Sequence, residues 1–239
     1  MAAGRAAEGV APVNRDEVRA RIQEVGIVPA VRVSSEHVAR FAAEAVAGGG
    51  IPIVEIEMTV PGAINVIHYL VENIPDMTVG AGSVYDTETA RRCLGAGAEF
   101  LTTDGLDLGI IEFANKENVA VWPAALTPTE LIIAWKAGPD FVKVFPCAPV
   151  GGDSYIRILK KAFQHIPLIA AGGVNQQTAQ KFIEAGASAL GVGGALIPED
   201  AIRLKQADRI RELAQRFVKF VREGRAHIAA LRKAIPPAT

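Results

Sequence analysis

Short apolar runs alternate with amphipathic stretches along most of this chain. The dipeptide Ala-Gly marks the change four times, at 47–48, 96–97, 137–138 and 185–186, each time after a helical pattern and before a β-rich run. Glycine commonly ends a helix because it adopts the left-handed conformation of the cap without a steric penalty. The pattern therefore predicts a strand soon after each of four helices.

The spacing of these dipeptides leaves room for two strand–helix units per interval. Successive occurrences lie 49, 41 and 48 residues apart. Helix starts are indicated at Ser34-Ser35, at Asp86-Thr87-Glu88 and at Thr127-Pro128, where a capping residue precedes a proline suited to the first helical position. The strands predicted in this way are 27–33, 51–56, 77–82, 99–103, 119–122, 140–144, 168–171 and 188–192.

Eight alternating strands and helices favour an α/β protein whose parallel sheet closes into a (β/α)₈ TIM barrel. An open, doubly wound sheet is the alternative, but no GxGxxG fingerprint follows the first strand. We divide the chain into a flexible N-terminal tail (1–14), one barrel domain (15–222) and a helical extension with a disordered C-terminus (223–239). Leu213, Phe217 and Val221 share one apolar face of a helix predicted over 201–233. The part beyond Arg222 either docks, contacts another subunit or frays.

Composition narrows the choice of partners. The net charge is −1, so no basic field is present to attract nucleic acid or a membrane surface. No apolar stretch is long enough to span a bilayer. Cys93 and Cys147 form neither a disulfide framework nor a CxxC motif, which favours a reducing cytoplasm. The four histidines lack metal-ligand spacing.

Lys143 is the most informative single residue. It shares one face of the strand Asp140-Phe-Val-Lys-Val-Phe-Pro146 with Phe141 and Phe145. Loss of hydration between two phenylalanines disfavours the ammonium form and favours the neutral amine that attacks a carbonyl group. The alternative is a lysine near a strand end that extends its amine to solvent.

Other polar residues end neighbouring strands, where barrel enzymes place their catalytic groups. Glu55 and Glu57 point to one face of the second strand, which is costly unless the carboxylates are paired or used. Arg32 ends the first strand and is a structural partner for Glu57 at the barrel rim, a pairing that leaves a substrate role open. Glycine-rich turns at 80–83, 171–173 and 191–194 follow strands three, seven and eight; the last two form the usual phosphate site of this architecture.

These stretches resemble the 2-keto-3-deoxy-6-phosphogluconate (KDPG) and 4-hydroxy-2-oxoglutarate (KHG) aldolase family. The matching segments lie in order between about Arg21 and Ala201, and the strongest are Val54-Glu-Ile-Glu-Met-Thr-Val-Pro61 and Val142-Lys-Val-Phe-Pro146. The resemblance implies a class I aldolase that reversibly cleaves a 2-keto acid into pyruvate and an aldehyde. It also implies a homotrimer that needs no cofactor and no metal, because the iminium ion replaces a Lewis acid.

The resemblance assigns a role to each site residue. Lys143 forms the Schiff base and Glu55 shuttles protons. Ser83 holds the pyruvyl carboxylate, with Thr59 as a further substrate-binding candidate, and Phe145 packs beside the imine. The distal, often phosphorylated, end of the substrate meets Arg32, Gly172, Gly173 and Gly194.

Several positions depart from the family pattern. Thr59 stands where many members carry arginine, Glu57 replaces a common threonine, and Thr103-Asp104 replaces a Ser-Pro pair. Ala171 and Gly194 lack hydroxyl groups that are frequent in the family. Reaction type is therefore better defined than substrate. The alternatives are a phosphate-binding isomerase or synthase of the same fold and an oligomeric scaffold of low activity.

Overall fold

The computed structural model of the chain describes residues 14–234. In this range nine parallel strands alternate with ten α-helices. The strands are β1 (Ile27–Val31), β2 (Ile53–Glu57), β3 (Thr78–Gly82), β4 (Phe100–Thr102), β5 (Ala120–Trp122), β6 (Ala124–Ala125), β7 (Val142–Val144), β8 (Leu168–Ala171) and β9 (Ala189–Val192). The helices are α1 (Arg15–Val25), α2 (Glu36–Gly48), α3 (Ala63–Asn73), α4 (Thr87–Gly95), α5 (Leu108–Lys116), α6 (Pro128–Lys136), α7 (Asp153–Ala162), α8 (Ala179–Glu184), α9 (Glu199–Arg203) and α10 (Ala207–Ala234).

The strands form one sheet that closes on itself. Their order is β5-β4-β3-β2-β1-β9-β8-β7-β6, and every pairing is parallel. The two end strands, β5 and β6, are consecutive in the chain and are separated only by Pro123, which has no N–H to donate to the ladder. The carbonyl of Pro123 still accepts a hydrogen bond of 2.9 Å from the Lys143 N–H. The predicted TIM barrel is therefore confirmed, with its fifth strand divided in two.

Local signals place the helices as expected. Ser35, Asp86 and Thr127 cap α2, α4 and α6 through their side chains, and Thr127 with Glu130 forms a complete capping box. Three of the Ala-Gly glycines adopt positive φ angles after their helices. At the first Ala-Gly, α2 runs through Gly48, and Gly50 takes the left-handed conformation instead.

Aromatic side chains fill the interior of the barrel below its open end. The Phe100 and Trp122 rings stack with centroids 4.4 Å apart, and Phe141 meets Trp122 edge to face. A Cβ on Gly80 would lie about 2 Å from the Phe100 ring (2.1 Å to its nearest atom), so only glycine leaves room for this packing. The rings form a floor beneath the polar residues of the same strands.

Helix α1, which the sequence pattern does not predict, covers the amino-terminal end of the barrel. Arg15 bonds to Asp140, just before β7, at 2.9 Å, and Arg21 bonds to Thr78 at the start of β3. Both contacts lie where strands begin. The opposite end of the barrel is therefore the open one.

Helix α10 continues without a break through Arg222, the residue at which the predicted barrel domain ends. It packs against α8, α2 and β1. Beyond Arg222, Arg225 donates to the carbonyls of Gln23 and Glu24, and Gly224 lies against Ile183. The start of the segment beyond Arg222 is thus docked on the barrel, whereas residues 229–234 are exposed.

The predicted N-terminal tail lies outside the described residues except for Asn14, which caps α1. Residues 235–239, at the C-terminus that the sequence predicts to be disordered, fall outside them as well. Within residues 14–234, no helix combines the length and apolar character needed to cross a bilayer.

Candidate active site

A cavity of about 440 Å³ opens at the carboxyl-terminal ends of the strands. This is the end where barrel enzymes carry their active sites. Its walls come from β1, β2, β7, β8 and β9 and from the loop after β4. The charged side chains that line it are Arg32, Glu55, Glu57, Asp104 and Lys143.

Lys143 points into this cavity from β7 and is 5% exposed, so it does not extend to solvent. Its Nζ lies 5.4 Å from the centroid of the Phe145 ring. It also donates a hydrogen bond of 3.0 Å to the carboxylate of Asp104. Besides the predicted phenylalanine neighbour, Lys143 therefore has an acidic partner that compensates its charge directly.

Glu55 enters the cavity from the middle of β2 and is also 5% exposed. The hydroxyl of Thr102 donates to its Oε1 at 3.0 Å. A Cβ on Gly82 would lie 2.1 Å from the same oxygen, so this glycine leaves the space that the carboxyl group occupies. Burial raises the pKa of Glu55 and outweighs the lowering effect of the Lys143 charge. Glu55 therefore binds a proton more readily than an ordinary glutamate, as a group that both donates and accepts protons must.

Asp104 lies in the loop after β4 and accepts three hydrogen bonds. They come from Lys143, from the Ser83 hydroxyl at 2.6 Å and from the Tyr85 hydroxyl at 2.9 Å. Burial raises the pKa of Asp104, but the Lys143 charge and these hydrogen bonds together bring it below the ordinary value. Asp104 is therefore ionised.

Arg32 and Glu57 form the ion pair expected at the barrel rim, through Nε and Oε2. The Arg32 side chain is 58% exposed, and its NH2 atom lies 3.8 Å from Asp104. The hydrogen bond to Glu57 raises the pKa of Arg32. One cation thus bridges two of the carboxylates at the mouth of the cavity.

Glycine-rich turns form the wall opposite these charges. Gly172 and Gly173 follow β8 with φ angles of 77° and 98°. A Cβ on Gly172 would lie 2.8 Å from Pro146, and one on Gly173 would lie 2.2 Å from Ala148. These two positions require glycine because the loop after β7 packs directly against them. Gly194, after β9, lines the same wall.

Seven of the nine predicted site residues line the cavity; they are Lys143, Glu55, Arg32, Phe145, Gly172, Gly173 and Gly194. Thr59 and Ser83 do not. Ser83 is 2% exposed, and its hydroxyl lies between Asp104 and Glu57, 3.4 Å from the latter. A substrate carboxylate at Ser83 would meet two negative charges, which argues against the carboxylate-binding role expected for this residue.

Asp104 is a site residue to which the sequence interpretation gives no role, although it identifies Thr103-Asp104 as a departure from the family pattern. Its position directly after a barrel strand is the signal that points to it. Thr102, the hydrogen-bond partner of Glu55, is similarly placed at the end of β4. Within residues 14–234, no three His, Cys, Asp or Glu side chains are grouped so that they could hold a metal ion.

Comparison with known proteins agrees with this arrangement. The family model "KDPG and KHG aldolase" matches residues 18–213. The KHG/KDPG aldolase of Escherichia coli K12 is 27% identical over 194 residues, which cover 81% of this chain and 91% of that protein.

Solved structures with a similar fold include a KDPG aldolase. A KDPG aldolase from Legionella pneumophila, with pyruvate captured as a covalent carbinolamine intermediate, superposes with a TM-score of 0.77 at 25% identity. The match covers 82% of this chain and 96% of that one. A cube-shaped, porous protein cage designed by fusing symmetric oligomeric domains superposes with a TM-score of 0.80, also at 25% identity, and covers 88% of this chain and 77% of the cage chain.

Proposed function

The chain belongs to the KDPG and KHG aldolase family, and from that premise we propose that Lys143 is the Schiff-base lysine of a class I aldolase. As a carbon–carbon lyase of this family, the enzyme reversibly cleaves a 2-keto-3-deoxy-6-phospho sugar acid or 4-hydroxy-2-oxoglutarate. The products are pyruvate and an aldehyde, glyceraldehyde 3-phosphate or glyoxylate. The observation that carries the proposal is the placement of a 5% exposed lysine in one cavity with a glutamate whose pKa is raised.

The first half of the reaction forms the imine. The neutral amine of Lys143 adds to the keto carbon, the carbonyl electron pair moves to oxygen, and a proton passes from nitrogen to that oxygen to give a carbinolamine. Protonated Glu55 then gives its proton to the carbinolamine hydroxyl, which leaves as water. The product is a cationic iminium linked to Lys143.

The second half breaks the carbon–carbon bond. The Glu55 carboxylate removes the proton of the C4 hydroxyl, the C3–C4 bonding pair moves towards the iminium, and the aldehyde leaves behind an enamine. Glu55 returns that proton to C3. Water then adds to the iminium, gives a proton to Glu55, and the carbinolamine collapses to release pyruvate and the free amine.

The remaining wall supplies the binding contacts. Phe145 lies close enough to Lys143 to cover one side of the imine. Arg32 at the mouth and the turns containing Gly172, Gly173 and Gly194 meet the distal end of the substrate. Small residues in such turns let backbone N–H groups approach an anionic group.

Reductive trapping tests the proposal. Incubation with pyruvate and borohydride is expected to add a reduced pyruvyl group to Lys143, located by peptide mass spectrometry. Lys143→Arg is expected to abolish the adduct, whereas Lys160→Arg, a partly buried lysine outside the cavity, leaves it unchanged. A folded wild-type enzyme without an adduct on Lys143 would refute the assignment.

We further propose that the enzyme assembles as a cytoplasmic homotrimer. Exposed apolar side chains on α6 and α7, among them Ile132, Ile133 and Ile158, support the assembly. The designed cage that shares the fold is itself built from symmetric oligomeric domains. Sedimentation equilibrium tests the proposal, and a mass equal to one chain of 25.2 kDa would contradict it.

A further inference from the structure

The reacting nitrogen of the proposed aldolase has a second acidic neighbour besides Glu55. Asp104 Oδ1 lies 3.0 Å from Lys143 Nζ. The other oxygen of Asp104 accepts hydrogen bonds from Ser83 and Tyr85. The hydroxyl groups of Ser83 and Tyr85 thus orient the carboxylate so that Oδ1 points at the Lys143 nitrogen.

The two carboxylates beside Lys143 differ in their surroundings. Glu55 accepts one hydrogen bond, from Thr102, and burial raises its pKa. Burial also raises the pKa of Asp104, but Lys143, Ser83 and Tyr85 more than reverse the effect. Environments that separate the pKa values of two carboxyl groups assign them different tasks. Glu55 is suited to carrying a proton and Asp104 to carrying a fixed negative charge.

We propose that Asp104 is the electrostatic partner of the reacting nitrogen, holding Nζ of Lys143 in the cavity and stabilising the iminium ion. The inference rests on the proposed function, because it concerns the intermediates of that reaction. Nitrogen is cationic in the resting ammonium and in the iminium, and neutral in the amine, the carbinolamine and the enamine. A fixed anion at 3.0 Å favours the two cationic states.

This role has opposite effects on two steps. By holding the ammonium, Asp104 opposes release of the free amine. By stabilising the iminium, it favours dehydration of the neutral carbinolamine, the step in which the positive charge on nitrogen forms. Removal of the negative charge is therefore expected to slow that dehydration, and with it both reductive trapping of the imine and turnover.

Asp104→Asn tests this division, because the amide keeps the size of the side chain and its oxygen still accepts hydrogen bonds. Asp104→Glu keeps the charge. Asp208→Asn is the matched control, since that aspartate is 95% exposed on α10 in an ion pair with Arg211. The measurements are the rate of borohydride trapping at saturating pyruvate, kcat and KM for cleavage, and the thermal unfolding midpoint.

For Asp104→Asn we expect the rate of borohydride trapping at saturating pyruvate and kcat each to fall about tenfold. Asp104→Glu should restore most of both, and Asp208→Asn should change neither. The other charged or titratable groups around Asp104 are unaltered in every variant; they are Arg32, Glu55, Glu57, Tyr85 and Lys143. The expected losses in trapping rate and kcat therefore report on Asp104 itself.

An unchanged trapping rate in a folded Asp104→Asn enzyme would overturn the inference, as would an equal loss in both Asp104 variants. If the asparagine variant does not fold, Asp104→Ser takes its place, since the side chain lies at the open cavity and its removal leaves room for water. This outcome can be distinguished from a failure of the proposed function. If the proposed function were wrong, the wild-type enzyme itself would give no adduct at Lys143.

Discussion

Replacement of Glu55 by glutamine separates proton transfer from imine formation. The amide has the size of the carboxyl group, so it fits the space beside Gly82 that a Cβ would fill. Its oxygen can still accept the 3.0 Å hydrogen bond from Thr102. The variant therefore keeps the geometry of the cavity and loses only the ability to exchange a proton.

The expected loss follows from the number of proton transfers that depend on Glu55. It gives up or takes a proton at four points of the proposed cycle, and one positioned acid–base group contributes about 10²–10⁴-fold to a rate. This corresponds to roughly 3–5 kcal/mol of activation free energy. Lys143 remains intact, so the imine with pyruvate still forms on prolonged incubation, with a proton from water in place of the Glu55 proton in the dehydration step.

Deuterium exchange into the methyl group of pyruvate measures the step directly. In D₂O the wild-type enzyme should exchange the methyl protons through the enamine, and ¹H NMR follows the loss of signal. Borohydride trapping of the same samples measures the imine. Glu112→Gln, which removes an exposed carboxylate paired with Lys116 on α5, is the matched control.

The reasoning is refuted if folded Glu55→Gln enzyme exchanges the methyl protons within about twofold of the wild-type rate. A proton route without Glu55 would then exist. A variant that exchanges slowly because it forms no imine would also contradict the reasoning, since imine formation at Lys143 would then require Glu55.

The same variant gives a stability test with a defined sign. Burial raises the pKa of Glu55 above its ordinary value of 4.5, so the folded state binds this proton more tightly than the unfolded chain. Stability from this group is fully present below pH 4.5 and is lost as the pH rises towards the folded-state pKa. Glutamine has no such loss. The urea midpoint of Glu55→Gln relative to wild type should therefore be higher at pH 8 than at pH 4.

Two further predictions concern other charges. Glu57→Gln frees Arg32 and removes a negative charge from the mouth of the cavity; KM for a keto acid with an anionic distal group should fall about tenfold, and an unchanged KM would argue against Arg32 as its partner. Asp140→Asn weakens the 2.9 Å bond to Arg15 that holds α1 and should cost about 2 kcal/mol of unfolding free energy, measured by urea denaturation. Borohydride trapping at Lys143 should be unaffected, because α1 lies at the opposite end of the barrel from the cavity. Loss of trapping would contradict this separation of the two ends.

The barrel could be predicted because its signals are local and repeated. Helix caps such as Ser35 and Thr127, and apolar runs of strand length, fix the order of elements without knowledge of long-range contacts. The meeting of Glu55 and Lys143 follows from the same order, since the carboxyl ends of parallel strands share one end of the barrel. The division of the fifth strand could not be predicted from the sequence. Pro123 interrupts the strand because it lacks an N–H group, and this matters only where a neighbouring strand would have accepted that hydrogen bond.

Asp104 and Ser83 show where the sequence interpretation stops. A polar residue in a loop is usually solvated, and only the fold brings Asp104 to 3.0 Å from Lys143. Asp104 also changes the role expected for Ser83, because the Ser83 hydroxyl donates its hydrogen bond to Asp104. Helix α1 was also missed, because its mostly polar sequence buries only Val18 and Ile22.

The packing of α10 against early parts of the chain bears on the order of folding during translation. Gly26, at the junction of α1 and β1, packs against Val221 and Arg225, and Gly49 packs against Ala214. These partners are translated about 165 to 200 codons later. A nascent chain emerging from the ribosome can therefore pair its early strands, but the shell over them stays incomplete until α10 has left the exit tunnel.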